Sequence, residues 1–222
     1  MLPLHHQSLS LVISFCLGIT FVASFAVSHV QATESKKPNI LLISIDDLND
    51  WTSSLGGHPQ AKTPNIDRLA DRGTLFSNAH CQSPVCNPSR ASMLTGRHPH
   101  TSGIYFLSPD LKQSPVLEDL DTLPERFAKH GYQTMAAGKI FHTGDKRFFQ
   151  EYGGNMGGFG PRPKEKISQP HGHPLWDWGA FPESDELMPD FKIAQWASTK
   201  LKSIPIESDK PFFMVVGFYR PH

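Results

Sequence analysis

The sequence predicts an α/β fold: a mostly parallel central sheet flanked by helices. Three observations predict it. Apolar, β-branched runs alternate along the chain with segments of helical spacing. The runs are continuous rather than alternating, as strands covered on both faces require. They also stop abruptly at Asp, Lys or His, and open parallel sheets gather ligands at such carboxyl ends.

The first strand is Ile40 to Ile45, an unbroken apolar run ending at Asp46-Asp47. Thr63-Pro64 then opens a helix with a capping hydroxyl and a proline in its first turn. Ile66, Leu69 and Ala70 share one face of it, and Gly73 lies beyond its end. Thr74 to Ser77 is a candidate short strand. Pro88 to Leu94 begins a second helix, closed by Gly96. Thr122-Leu123-Pro124-Glu125 is a capping box for a third, with Phe127 and Ala128 as its apolar face and Gly131 as its stop. Tyr132 to Ala137 reads as a strand ending at Gly138-Lys139.

From His142 to Pro189 the chain is rich in Gly, Pro, His and aromatic residues and has no periodicity. That is too long for a connector, so a functional excursion over the surface is expected. Asp190 to Ile204 places Ile193, Ala194, Trp196, Ala197 and Leu201 at helical spacing. Phe212 to Val216 is a further buried strand, followed by Gly217 to His222. Phe148-Phe149 and Phe212-Phe213 read as core. Three strand ends thus carry Asp46-Asp47, Lys139 with His142, and His222.

Composition excludes several classes. With 21 basic and 21 acidic residues, the chain has no electrostatic basis for binding nucleic acid. A hydrophobic content of 38% with 10% aromatics is too rich for a disordered chain. The first 32 of the 222 residues contain no Lys, Arg, Asp or Glu, and Leu11 to Val27 is an apolar run. With Val30-Gln31-Ala32 as a small-residue cleavage site, residues 1–32 read as an export signal, placing the mature protein in a periplasmic, secreted or lysosome-like location. An uncleaved membrane anchor is the alternative reading. Residues 33–222 then form one domain and keep only Cys81 and Cys86, too few for a disulfide scaffold and wrongly spaced for zinc.

Adjacent carboxylates at a strand end point to opposite faces unless the chain turns between them. Asp46 and Asp47 are therefore either a solvated turn or hard oxygen ligands for Ca²⁺ or Mg²⁺. The strongest signal is Cys86-Asn87-Pro88-Ser89-Arg90, continued as Ala91-Ser92-Met93-Leu94-Thr95-Gly96-Arg97. Cys-x-Pro-x-Arg is expected about 0.01 times by chance in this composition. Pro88 at a helix start leaves Cys86 at the amino end, where free N–H groups favour an anion. Arg90 lies one turn further on with a fixed charge. A Cys81–Cys86 disulfide or an inert thiol is the competing reading of Cys86.

This motif resembles the formylglycine signature of the sulfatases, in which the cysteine is oxidised to an aldehyde. Pro38-Asn39-Ile40 through Asp46-Asp47 and Thr63-Pro64-Asn65-Ile66-Asp67-Arg68-Leu69-Ala70 are similar to the opening strand and first helix of that family. Gly138-Lys139-Ile140-Phe141-His142 and Gly217-Phe218-Tyr219-Arg220-Pro221-His222 look closest to the iduronate-2-sulfatase branch. The resemblance implies an alkaline phosphatase/sulfatase-like fold and a Ca²⁺ site on Asp46, Asp47 and the modified Cys86. It implies a hydrated aldehyde at position 86 as nucleophile, with Arg90 and Lys139 neutralising charge, His222 protonating the leaving oxygen and His142 assisting the hydrate.

The implied substrate is a sulfated carbohydrate, with 2-O-sulfated uronate as the branch-level expectation. A formylglycine-generating or sulfatase-maturating enzyme is the implied partner. Sulfatases carry a second acidic metal pair beyond the region this chain reaches, so residues 33–222 are expected to be the amino-terminal part of a larger, here incomplete, catalytic domain. A phosphonate or phosphodiester hydrolase with the same nucleophile, or an inactive carbohydrate-binding remnant, are the competing functions. His98, His100, His171, His173, Trp176 and Trp178 could border a sugar site but receive no role.

Overall fold

The structure is a computed structural model that describes residues 36–143, 145–168, 177–205 and 208–222. The leader expected over residues 1–32, and His171, His173 and Trp176, lie outside the described residues. All elements below belong to the unit Lys37–His222.

Four strands, β1 (Ile40–Ile45), β2 (Gln133–Gly138), β3 (Glu151–Tyr152) and β4 (Phe212–Phe218), form one sheet in the order β1-β4-β2-β3. Every pairing is parallel. The helices are α1 (Pro64–Ala70), α2 (Cys86–Thr95), α3 (Pro99–Ser102), α4 (Leu123–Lys129) and α5 (Pro189–Ser203). The α/β architecture with a parallel sheet is therefore the one the sequence predicts.

Two apolar cores sandwich the central strands, and period-two geometry sorts the side chains between them. Ala136, Phe213 and Val215 face one core, which contains Ala91 and Leu94 of α2 and packs Leu123 and Phe127 of α4. Met135, Ala137, Phe212, Met214 and Val216 face the other, built on Ile193 and Ala197 of α5. Phe127 and Phe213 stack with ring centroids 4.2 Å apart. Phe148 and Phe149 are buried in the first core, as expected.

β1 corrects one expectation. Its apolar run is not buried on both faces. Ile40 and Leu42 pack against the first core, but Leu41 and Ile43 on the opposite face are 43% and 48% exposed. The cause is positional: the second core runs from α5 over β4 and β2 and stops short of the edge strand.

Local chemistry sets most helix boundaries. At α4, Glu125 accepts from the Thr122 N–H at 2.8 Å and from its hydroxyl at 2.6 Å, closing the first turn as the capping pattern predicts. α2 ends at Gly96, whose φ of 68° is left-handed. At α1 the Thr63 hydroxyl does not cap. It accepts from the Ser53 N–H and donates to Asp67, and no residue of α1 is buried. Thr74 to Ser77 forms no strand. The excursion after His142 supplies instead the two-residue β3, which extends the sheet beside β2.

Gly138 and Gly217 are paired across β2 and β4 at the ends that carry the polar residues. Gly138 has φ +88°, and a Cβ there would lie 1.9 Å from the Gly217 carbonyl oxygen. No side chain fits that contact. Gly138→Ala is expected to destabilise the fold by at least about 2 kcal/mol, through left-handed strain plus the steric clash. Urea denaturation checks this; an unchanged midpoint would mean the strand ends do not approach so closely.

Candidate active site

The carboxyl ends of β1, β2 and β4 lie side by side, and the amino end of α2 meets them. Cys86 is the first residue of α2, with Val85 as its extended cap. Pro88 falls in the first turn, where a missing N–H leaves no hydrogen bond unmade. Both cysteines are free and Cys81 is exposed, which removes the disulfide reading of the pair.

Asp46 is the hub. It is only 6% exposed, yet its carboxylate is well partnered. Oδ1 accepts from Arg90 Nη2 at 2.8 Å, and Oδ2 accepts from the Lys139 ammonium. The Cys86 thiol lies 3.9 Å from the same Oδ2 and 3.4 Å from Lys139 Nζ. Burial alone pushes the Asp46 carboxyl upward. Hydrogen bonds and charge from Lys139 and Arg90 outweigh it and hold the group below the usual carboxylate range.

Arg90, buried on α2, ties three elements together. Besides Asp46, its Nη1 donates to the carbonyls of Lys139 at 2.6 Å and Ile140 at 3.0 Å. Its Nε is buried with no hydrogen-bond partner among the described residues. None of its hydrogen bonds reaches Cys86, so in this arrangement Arg90 fixes Asp46 and the β2 end rather than touching the thiol. Lys139 is equally buried. Its ammonium lies over the Phe159 ring at 5.1 Å and the Tyr219 ring at 5.9 Å, both favourable faces for a cation.

Asp47 turns where Asp46 does not. Its φ of 57° is left-handed, a conformation Asp tolerates better than most residues. That turn brings its carboxylate, 59% exposed, against His222 Nδ1. The same nitrogen lies 3.5 Å from Asp46 Oδ2. The two neighbouring acids thus meet at one imidazole despite starting on opposite faces of a strand.

His142 lines a cavity of about 1000 Å³ beside this cluster, together with Lys139, Phe159 and Tyr219. Its Nδ1 is buried without a hydrogen-bond partner among the described residues. Burial, reinforced by the charges of Lys139 and Arg90, pushes its pKa below the usual imidazole value, so the ring is neutral at pH 7. No hydrogen bond joins it to Cys86. His98 and His100 stack on one another, with ring centroids 5.3 Å apart, beyond the α2 end.

Three supporting residues escaped sequence reasoning. Asp190, in the first turn of α5, accepts from the N–H groups of Tyr219 and Arg220, both at 2.8 Å, and so fixes the turn that carries His222. Phe159, from the excursion, packs against His222 with ring centroids 5.1 Å apart. Asp110 holds Thr143 and Arg147 at the cavity. Only the Asp after Pro189 at a helix start hinted at a capping role.

Asp46, Cys86 and His222 bring one ligand atom each within 4.8 Å of one another, a possible metal site of mixed donors. Oxygens of Asp46 and Asp47 suit a hard divalent cation, and both already lie against positive or proton-bearing groups. Two carboxylates supply only part of the roughly six to eight oxygens that Ca²⁺ takes. The residues therefore fit one side of a cation site.

Fold and site together define an α/β protein with an ion-paired polar cluster at the carboxyl ends of a parallel sheet. The chain belongs to the sulfatase family: residues 38–222 match the Sulfatase family model. A sulfatase of Formosa agariphila is 40% identical over 85% of this chain and 40% of its own length. Iduronate 2-sulfatase of Homo sapiens is 33% identical over 88% of this chain and 37% of its own. Among solved structures, a 2-O GAG sulfatase superposes with a TM-score of 0.58 at 30% identity, covering 84% of this chain and 35% of that one. The chain thus spans about two fifths of the curated relatives it matches.

Proposed function

We propose that this protein contributes the nucleophile-bearing part of an exported sulfatase that removes sulfate from a sulfated carbohydrate, with a 2-O-sulfated uronate as the substrate class. The observation that carries this reading is the position of Cys86. It opens a helix, 3.4 Å from a buried lysine and 3.9 Å from a buried aspartate, in one cluster with His222. An inert core thiol has no need of such neighbours. The uronate assignment follows the family relatives that act at a 2-O or iduronate 2-position.

In this reading Cys86 is converted to formylglycine by a maturating enzyme, and Ca²⁺ is held by Asp46 and Asp47. When present, these would supply an attacking hydroxyl and fixed positive charge for the sulfate oxygens. The remaining work falls to the chain's own side chains. Lys139, held by Asp46 and an aromatic pair, presents its ammonium to the sulfate. Arg90 keeps Asp46 ionised and oriented. His222, poised by two carboxylates, delivers a proton to the departing sugar oxygen as the S–O bond breaks. His142, neutral and short of one partner, accepts a proton within the adjoining cavity. Water provides the oxygen that the released sulfate gains.

Two measurements on protein from its native host test the proposal. Mass spectrometry of the peptide Cys81 to Arg90 should find the aldehyde at position 86. Sulfate should be released from a 2-O-sulfated uronate oligosaccharide far faster than phosphate or phosphonate from matched esters. An unmodified thiol would remove the mechanism, and preferred turnover of the phosphonate would move the chain to the related class.

A further inference from the structure

The cavity beside the cluster is more strongly charged than a sulfate pocket alone requires. At about 1000 Å³ it lies at the upper end of the range for small-molecule sites. Its lining includes three cations, Lys139, Lys146 and Arg147, and no Asp or Glu among the described residues. The chain as a whole carries equal numbers of acids and bases, so a wall of one sign is a local arrangement. Asp46 and Cys86 engage Lys139. Lys146 and Arg147 belong to a different segment and touch neither of them.

That segment is built rather than loose. Lys146 and Arg147 lie in a short 3-10 turn, Asp145–Phe148. Its far end is anchored by Phe148, buried and stacked on Phe141 at 4.1 Å. Arg147 is fixed at two points: its guanidinium lies 4.7 Å from the Phe148 ring centroid, and one nitrogen donates to Asp110 Oδ1. Asp110 also accepts from the Thr143 hydroxyl and the Lys112 N–H. These contacts, with the charge of Arg147, outweigh its burial and keep it ionised. One carboxylate outside the cavity lining therefore orients the guanidinium, leaving its other N–H groups for a further acceptor. The cavity-lining Thr143 hydroxyl is set by the same group.

We propose that Lys146 and Arg147, with Arg147 oriented by Asp110, form a second anion subsite in this cavity. It takes a carboxylate or a second sulfate on the same sugar chain whose sulfate ester lies against Lys139. This rests on the sulfatase reading of the neighbouring cluster. It makes the substrate class polyanionic rather than singly sulfated, because a neutral sugar offers neither cation an anionic acceptor.

The test is calorimetric binding to the intact protein, which needs no turnover. The ligands are a 2-O-sulfated uronate disaccharide carrying an additional sulfate, its carboxyl-reduced form, and the form lacking only the additional sulfate. Wild-type protein should prefer the parent over at least one single-deletion ligand by about tenfold, as expected for a charge-assisted hydrogen bond. The deletion that lowers affinity identifies the group bound. Lys146→Met/Arg147→Met should bring that ratio close to one. The proposal is overturned if wild type shows no preference in either arm, or if the variant keeps it. Should the double variant not fold, Lys146→Gln, at an exposed position, should reduce the ratio about threefold, and an unchanged ratio overturns the proposal equally. Absence of sulfate release from every ester would defeat the activity reading separately, while the binding ratio still decides the subsite.

Discussion

Cys86→Ala is expected to abolish sulfate release, by roughly 10⁴-fold or more, while leaving the fold almost untouched. The two effects separate because the thiol contributes little to packing. Its polar contacts are a 3.9 Å approach to Asp46 and a 3.4 Å approach from Lys139, both weak for sulfur. Asp46 keeps Arg90 and Lys139 in the variant, so the ion-paired hub survives. The denaturation midpoint should correspond to a change within about 1 kcal/mol. Residual turnover near the wild-type rate would assign the chemistry to another residue and sink the reading of the Cys-x-Pro-x-Arg motif.

Asp46→Asn is expected to be strongly destabilising. It removes the one charge that Arg90 and Lys139 share and leaves two buried cations facing each other across a neutral amide. Breaking a buried pair in this way costs about 3–5 kcal/mol. The pH dependence carries a second signature. The Asp46 carboxyl is depressed in the folded state. Its stabilising contribution is therefore fully present above the unfolded value, about 3.9, and is lost as pH falls through the lower folded value. Wild-type protein should lose stability over that acid window, and the variant should lose less there. Parallel urea titrations at neutral pH and near pH 3 check both claims; equal midpoints for the two proteins at neutral pH would refute the hub.

Much of this arrangement is legible in the chain, and the reasons for the rest are physical. β1, β2 and β4 announce themselves because continuous apolar runs are hard to place elsewhere. α2 and α4 announce themselves through proline and capping signals at their starts, and α5 through the helical spacing of its apolar residues. Cys86, Arg90, Asp46 and Lys139 are recognisable as chemistry-bearing residues at element ends, and the structure brings all four together. β3 is not legible, since two residues carry no period. The exposed face of β1 is not legible either, because edge and centre are properties of strand order rather than of the strand itself. Asp110, Phe159 and Asp190 act over long sequence separations on Arg147, His222 and the β4 turn. Nothing local distinguishes Asp110 or Phe159 from ordinary surface residues, and Asp190 is marked only by its place after Pro189 at a helix start.

The strand order also fixes a sequence of events. β4 lies between β1 and β2, although it is the last of the four to leave the ribosome. Until it is made, β1 has no neighbour among the described strands and β2 has only the two residues of β3. Lys139 and His222 cannot both take their places beside Cys86 before that insertion, because Gly217 pairs with Gly138 at the β2 end and His222 lies in the turn beyond β4. The thiol is therefore synthesised well before the strand that completes its surroundings, so the cluster around it is the last part of the sheet to be assembled.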